Sequence, residues 1–452
     1  VHPAFVDSDE NLAKFLAVDI KQANYFALTL FDHEIYGHHF SGNYSGRDAE
    51  GKADDETLIW LAGEQEAISA NISVLAEDNE NGIYSVGDWF QTLKKVASQK
   101  YHPLQNFENF KQYLKRAPFV VDATLEAFLS PIKDPHAQQA LASGGLGFLA
   151  GETFGGFGKI GERVVGFMPL YEHYKNSNGK LIAVDWDNQP GVYPLMLDEH
   201  EIYRPEVKFR STRKYPMGKE SRSVRLYLVF VHGTPVIAIR EPEIFSKLYP
   251  HPVSEAELKV RQMGFFGRAF VEIFKDFGFA PDIVRFNESQ PFFISVAIDN
   301  DVLHHQNNGN KSIFEDTRYV FTTHTPERAA LPTYDNLLWL QRQIGSDLAQ
   351  EEDFMPDDIN GGEVLNLAKC LAQNPRTIVV NAVAQEHGDV TKIIVLPESS
   401  TKTLAITNGS NPNLWKSPEL RAIEKRKSNI TGEDLFLAGN QAKARLNKYL
   451  IK

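Results

Sequence analysis

An α/β fold is predicted for most of this 452-residue chain: a Rossmann-like, mostly parallel sheet flanked by helices over 141–452, behind a mainly helical region over 1–140. Three observations predict it. From Asp282 onward, short β-branched runs alternate with longer segments of helical periodicity. The texture changes at Ser143, where glycine-rich turns begin to separate short apolar runs. A hairpin pattern stands over 223–240.

The elements follow in order. Stretches at 55–61 and 107–114 carry apolar residues three and four apart, as a helix with one buried face requires. The hairpin's arms are 223–231 and 236–240, joined through His232-Gly233-Thr234-Pro235. A helix is expected over 254–276, then strands at 282–286 and 318–322 and helices at 333–347 and 361–373. Strands recur at 377–380, 392–395 and 403–406. In such sheets ligands bind at the carboxyl ends of strands, which directs attention to the loops after 286, 322 and 406.

Net charge is −12, which argues against a nucleic-acid surface as the main function. One cysteine, Cys370, excludes an intrachain disulfide framework and Cys-rich zinc sites. Residues 1–4 show no basic and apolar signal pattern, and no apolar run is long enough to span a bilayer. A cytoplasmic location is therefore expected, without membrane or nucleic-acid partners. The chain opens on Val1, so a processed chain or a piece of a longer one is expected.

His33-Glu34-Ile35-Tyr36-Gly37-His38-His39 has histidines but not a zinc helix's spacing, since the i+4 position is Gly37. No metal is expected. Gly156-Phe157-Gly158-Lys159-Ile160-Gly161 fits a dinucleotide fingerprint, but no strand precedes it, and Asp185 and Asp187 stand late for the acidic partner. A turn is the better reading. Ser143-Gly144-Gly145-Leu146-Gly147 is more informative. Paired glycines let backbone amides come close to a phosphate or sugar oxygen, and a helix N-terminus favours an anion. A plain turn leading into a helix would have the same composition.

The segment Gly144–Tyr171, with Gly144-Gly145-Leu146-Gly147-Phe148-Leu149-Ala150-Gly151-Glu152, resembles the glycine-loop region of α-glucan (glycogen/maltodextrin) phosphorylases, glycosyltransferases of the GT-B type. Starch synthases share the Gly-Gly-Leu-Gly start. Further similarities fall in the family's order: Arg261–Arg268, Pro281–Glu288, Val320–Pro326, Asn381–Gly388, and Ile406–Gly409 with Ser417–Leu420. The resemblance covers about 143–452 and implies the family's N-terminal, acceptor-side half. It implies phosphorolysis of an α-1,4-glucan to glucose 1-phosphate, completed by a C-terminal GT-B domain. It also implies backbone contact with the sugar phosphate at Gly144, Gly145, Leu146 and Gly147, and substrate contacts at Asn287, Glu288, His324 and Asn408. No catalytic residue is assigned. The family's pyridoxal phosphate sits on a lysine of a glycine-rich C-terminal segment that this sequence lacks, so the cofactor is not expected to attach to this chain.

Three positions depart from the pattern: Gln290 where the family has His, Ala382 where it has Gly, and Ser410 after Thr407-Asn408-Gly409. An amide cannot take up charge as imidazole can. Two other readings follow: a phosphorylase-like domain that binds glucan without catalysis, and a nucleotide-sugar-dependent transferase of the same architecture.

Overall fold

The computed structural model describes residues 102–450, apart from 116–118, 177, 199, 212–217, 325–330, 357–360, 410–416 and 425–429. The expected helices before residue 102, the His33–His39 segment and Ser410 lie outside the described residues. The chain divides into two compact units, one ending at Thr407 and one beginning at Asn408.

The first unit is built on a nine-stranded sheet. Its strands are β1 (Val120–Ala123), β2 (Val164–Pro169), β3 (Tyr193–Pro194), β4 (Arg225–Val231), β5 (Thr234–Arg240), β6 (Ile283–Asn287), β7 (Arg318–Thr323), β8 (Thr377–Ala382) and β9 (Thr403–Ala405). The spatial order is β9-β8-β7-β6-β1-β2-β5-β4-β3. Every neighbouring pair from β9 to β5 is parallel, while β4 pairs antiparallel with β5 and with β3. The mostly parallel sheet is therefore as the sequence predicts. The sheet starts earlier than the 140/141 boundary, because β1 is one of its central strands.

Its helices are α1 (Phe107–Lys115), α2 (Pro135–Leu141), α3 (Gly145–Lys159), α4 (Ala256–Phe277), α5 (Phe293–Asn307), α6 (Leu337–Ile344), α7 (Leu367–Gln373) and α8 (Gln385–Val390). Strand alternation sends Phe167, Leu226, Leu228, Ile237 and Ile239 into a large core, and Met168, Tyr227, Val229, Val236 and Ala238 into a second. The first core is aromatic. Phe167 meets Phe266 and Phe270 of α4 with ring centroids 5.0 Å apart in both cases. Small residues let the helices close in. A Cβ at Gly267 would stand 2.3 Å from the Phe293 carbonyl oxygen, so α4 crosses α5 backbone to backbone there.

The hairpin forms with a tighter turn than predicted: Thr234 and Pro235 pair with Val231 and Phe230, leaving His232 and Gly233, both at positive φ, as the turn. Two helices begin later than predicted. Asn336 caps α6 by accepting from Trp339 N (2.9 Å), and Asn366 caps α7 by accepting from Lys369 N (3.0 Å). The residues ahead of these caps, Thr333–Tyr334 and Glu363–Asn366, pair as strands instead. The strand expected at 392–395 is a π-helical turn, Thr391–Val395, that continues α8. β-Branched residues fit strands when a ladder covers them; here Ile393 and Ile394 are 74% and 52% exposed and pair with nothing in a sheet.

The second unit contains α9 (Pro418–Glu424) and α10 (Gly432–Leu450). Thr431 and Asp434 close a cap at the start of α10: Thr431 N donates to Asp434 Oδ2 (3.0 Å), and Asp434 N donates to Thr431 Oγ1 (3.3 Å). No described helix is long and apolar enough to cross a membrane.

Candidate functional site

The chain runs from β1 outward through β2 and β5, then returns to place β6 on β1's other side. Strand order therefore reverses between β1 and β6, where open α/β sheets form a crevice at their carboxyl ends. The crossover from β1 to β2 runs through α2 and α3, which sets the N-terminus of α3 at that same end.

The glycine turn stands there. Gly144 is the N-cap of α3 with φ 83° and ψ −164°, a conformation open to glycine. A Cβ at Gly144 or at Gly145 would meet no heavy atom within 4 Å, and both residues are exposed. The first amides of α3 have no partner within the helix, and its dipole favours negative charge. Leu146 is half-buried beside them. Gly147 faces inward: a Cβ there would stand 2.5 Å from Ala142 Cβ and 3.0 Å from Glu126 Oε2. The pair Gly144–Gly145 can receive a ligand, whereas Gly147 permits packing.

The rest of α3 explains the dinucleotide-like spacing. Gly151 lies on the Phe128 carbonyl, 1.8 Å from where its Cβ would be, and Gly158 lies on the His232 carbonyl at 2.2 Å. Gly161 turns the chain out of the helix at φ 71°. Close helix packing accounts for Gly151, Gly155 and Gly158 and an exit turn for Gly161, whereas a Cβ at Gly156 would meet nothing within 4 Å.

Across the crevice, strand ends are joined by hydrogen bonds. Asn287 Nδ2 donates to Thr124 Oγ1 (3.2 Å), and Thr124 Oγ1 donates to Glu126 O (2.8 Å). Asn287 Oδ1 accepts from His324 Nε2 (2.8 Å), so that nitrogen carries the imidazole proton. Glu288, at φ 66°, donates its N–H to Thr322 O (2.8 Å), and its Oε1 accepts from His324 N (2.5 Å). Burial, reinforced by Arg285 and His387, pushes His324 down to about 4, so its ring is neutral at neutral pH. Beneath lies a buried cross-strand pair: Asp122 and Arg285 are in register on β1 and β6, with Arg285 Nη1 2.6 Å from Asp122 Oδ2. Arg285 Nε also donates to Thr322 Oγ1 (3.1 Å). Burial pushes the Asp122 carboxyl up, and Arg285 opposes it.

On the other side, Glu126 is 3% exposed and joins two loops. Its Oε2 accepts from Ser143 N (3.1 Å), the residue before the glycine turn, and its Oε1 accepts from the Tyr249 hydroxyl. Burial pushes the Glu126 carboxyl up, while Tyr249 and Ser143 pull it down.

The structure thus brings six of the predicted residues, Gly144, Gly145, Leu146, Asn287, Glu288 and His324, to one end of the sheet. Asn408 opens the second unit. Gln290 starts a short 3-10 turn after β6, and Ala382 is simply the last residue of β8. Room beside Ala382 comes from Gly388, whose Cβ would be 2.8 Å from Ala405 Cβ and 3.9 Å from Ala382 Cβ. Sequence reasoning missed Thr124, Glu126, Tyr249 and the Asp122–Arg285 pair. One signal was available: a lone acid in Val120-Val121-Asp122-Ala123 and a lone base in Ile283-Val284-Arg285-Phe286 each interrupt a buried strand, as a paired charge would.

A helix N-terminus with two uncovered glycines thus stands at the same end of the sheet as strand-end amide, carboxylate and imidazole groups, at the switch point. The pattern of the starch synthase catalytic domain matches residues 137–372, more than half of the chain, and the chain belongs to that family. It is also similar to the glycogen phosphorylase of Aquifex aeolicus, 28% identical over 354 residues, spanning 70% of this chain and 48% of that protein. The maltodextrin phosphorylase of Thermococcus litoralis is 25% identical over 311 residues, spanning 63% of this chain and 36% of that protein. This chain thus spans half or less of the length of these relatives. Among solved structures, the catalytic domain of starch synthase IV from Arabidopsis thaliana, bound to ADP and acarbose, superposes with a TM-score of 0.43 at 18% identity, covering 70% of this chain and 61% of that one.

Proposed function

We propose that this chain is the acceptor-side half of an α-1,4-glucan phosphorylase-type glycosyltransferase, with a sugar phosphate received at Gly144–Gly145. The observation that carries the reading is the coincidence of the uncovered glycine turn with the Thr124–Asn287–His324 network at the β1/β6 switch point. The phosphorylase relatives support it. In that reaction phosphate oxygen bonds to the anomeric carbon, the glycosidic C–O bond breaks, and the released glucan hydroxyl takes a proton. A neutral His324 with its proton on Nε2 fits hydrogen bonding to sugar hydroxyls better than pairing with phosphate charge. A second, C-terminal GT-B domain would complete the site.

For pyridoxal phosphate the described strand-end groups are a poor fit. They are carboxylates, amides, hydroxyls and imidazole, with no amine to condense with an aldehyde. We place that cofactor, where the whole protein uses one, off this chain; a borohydride-fixed Schiff base on the 452-residue chain would overturn this.

The starch synthase family match favours a second reading, transfer from a nucleotide sugar. Calorimetry on the full chain separates the two. Glucose 1-phosphate should bind at least as tightly as ADP-glucose. A tenfold or greater preference for ADP-glucose, about 1.4 kcal/mol, would move the assignment to the synthase reaction. Failure to bind either sugar phosphate, with maltoheptaose bound normally, would make the domain a glucan-binding module.

A further inference from the structure

Tyr249 combines features that no packing role requires. It has φ 52°, a left-handed conformation unfavourable for a bulky residue, and it is 54% exposed. Yet its hydroxyl reaches Glu126, a carboxylate at 3% exposure whose other oxygen holds the amide of Ser143, directly ahead of Gly144.

The loop carrying Tyr249 is held firmly from behind. Gln262, buried on α4, donates through Nε2 to Ile244 O and Lys247 O, both at 3.0 Å. Glu241 Oε2 accepts from Ile244 N (2.6 Å), and Lys247 Nζ lies 2.6 Å from Glu255 Oε1. Backbone strain of this kind persists where the surroundings over-determine it, and it clusters at functional sites. Burial and Glu126, with a smaller contribution from the charge of Glu288, push the Tyr249 hydroxyl well above its usual value.

We propose that Tyr249 and Glu126 form a latch that holds the Ser143–Gly144 turn in the shape that receives a sugar phosphate. Both are positioning residues: the phenol fixes the carboxylate, and the carboxylate fixes the Ser143 amide. Gly144 then keeps its left-handed conformation with the amides of α3 uncovered. The role in binding rests on the sugar-phosphate reading of the glycine turn, whereas the hold on the turn does not.

Two measurements on the full chain keep these apart. The first is hydrogen exchange in a peptide covering residues 142–147 without ligand. Tyr249→Phe and Glu126→Ala should speed exchange there. Glu126→Gln should not, because its amide oxygen can accept from Ser143 N and its NH2 can donate to Tyr249. The second is glucose 1-phosphate affinity by calorimetry. Tyr249→Phe should weaken binding about tenfold, the order of one lost hydrogen bond to a charged group, while the thermal midpoint moves by no more than about 2 °C. Unchanged exchange in Tyr249→Phe, or Glu126→Gln behaving like Glu126→Ala, would overturn the latch. A wild-type chain that does not bind glucose 1-phosphate would overturn the role in binding and the parent reading together, whatever the exchange shows.

Discussion

Gly145→Val separates a ligand-receiving turn from a merely structural one. Gly145 is the first residue of α3, and a Cβ there meets nothing within 4 Å. Its backbone is not among the glycines at positive φ, unlike Gly144 at 83°. Valine at this position therefore adds no internal clash and no left-handed strain. Helix propensity differs between Gly and Val by only a few tenths of a kcal/mol, so stability should stay within about 0.5 kcal/mol of wild type. Binding should respond differently. Phosphate oxygens must come within about 2.9 Å of backbone nitrogen, and two methyl groups would occupy that approach. A loss of tenfold or more in glucose 1-phosphate affinity is expected, at least about 1.4 kcal/mol. The assay is calorimetry beside thermal melts of both proteins. Wild-type affinity in a well-folded variant would remove the turn from the site, and a variant melting far below wild type would refute the open space assigned to Gly145.

Other outcomes follow from the same geometry. Gly151→Ala should cost about 3 kcal/mol in urea unfolding, because its Cβ would sit 1.8 Å from the Phe128 carbonyl oxygen and backbone must move; a change under about 1 kcal/mol would contradict the close crossing of α3. Arg285→Met leaves Asp122 buried without its counter-charge and should destabilise by about 3 kcal/mol at neutral pH. That deficit should shrink as pH falls and Asp122 takes up a proton, so a pH-independent deficit would argue against an ionic origin. His324 is held near 4 in the fold, below the 6.5 of an unfolded histidine, so the unfolded chain binds the extra proton between those values. Stability from this residue is full above 6.5 and lost as pH falls towards 4, by about 3 kcal/mol. His324→Gln should flatten that part of the stability–pH curve, and an unchanged curve would contradict the depressed value.

Much of the sheet could be read from the sequence because buried parallel strands such as Val164–Pro169 are continuous apolar runs and their glycine turns are explicit. The strand expected at 392–395 is a helical turn instead because a β-branched run states a preference, not a partner. The late starts of α6 and α7 were missed because Asn336 and Asn366 act through single cap hydrogen bonds that periodicity does not register. In the site, Gly144, Asn287 and His324 lie in contiguous motifs at strand or helix ends. Glu126 and Tyr249 are 123 residues apart and meet only because β1 and β5 flank β2 in the folded sheet. Gly147 looks identical to Gly145 in sequence; helical position alone turns one inward and leaves the other uncovered.

The site is tested most directly by a crystal structure of the chain grown with saturating glucose 1-phosphate. The phosphate should lie at the N-terminus of α3, with oxygens about 3 Å from the amides of Gly145 and Leu146, and sugar hydroxyls turned towards His324 and Asn287. Ligand bound elsewhere while the glycine turn stays empty would contradict it.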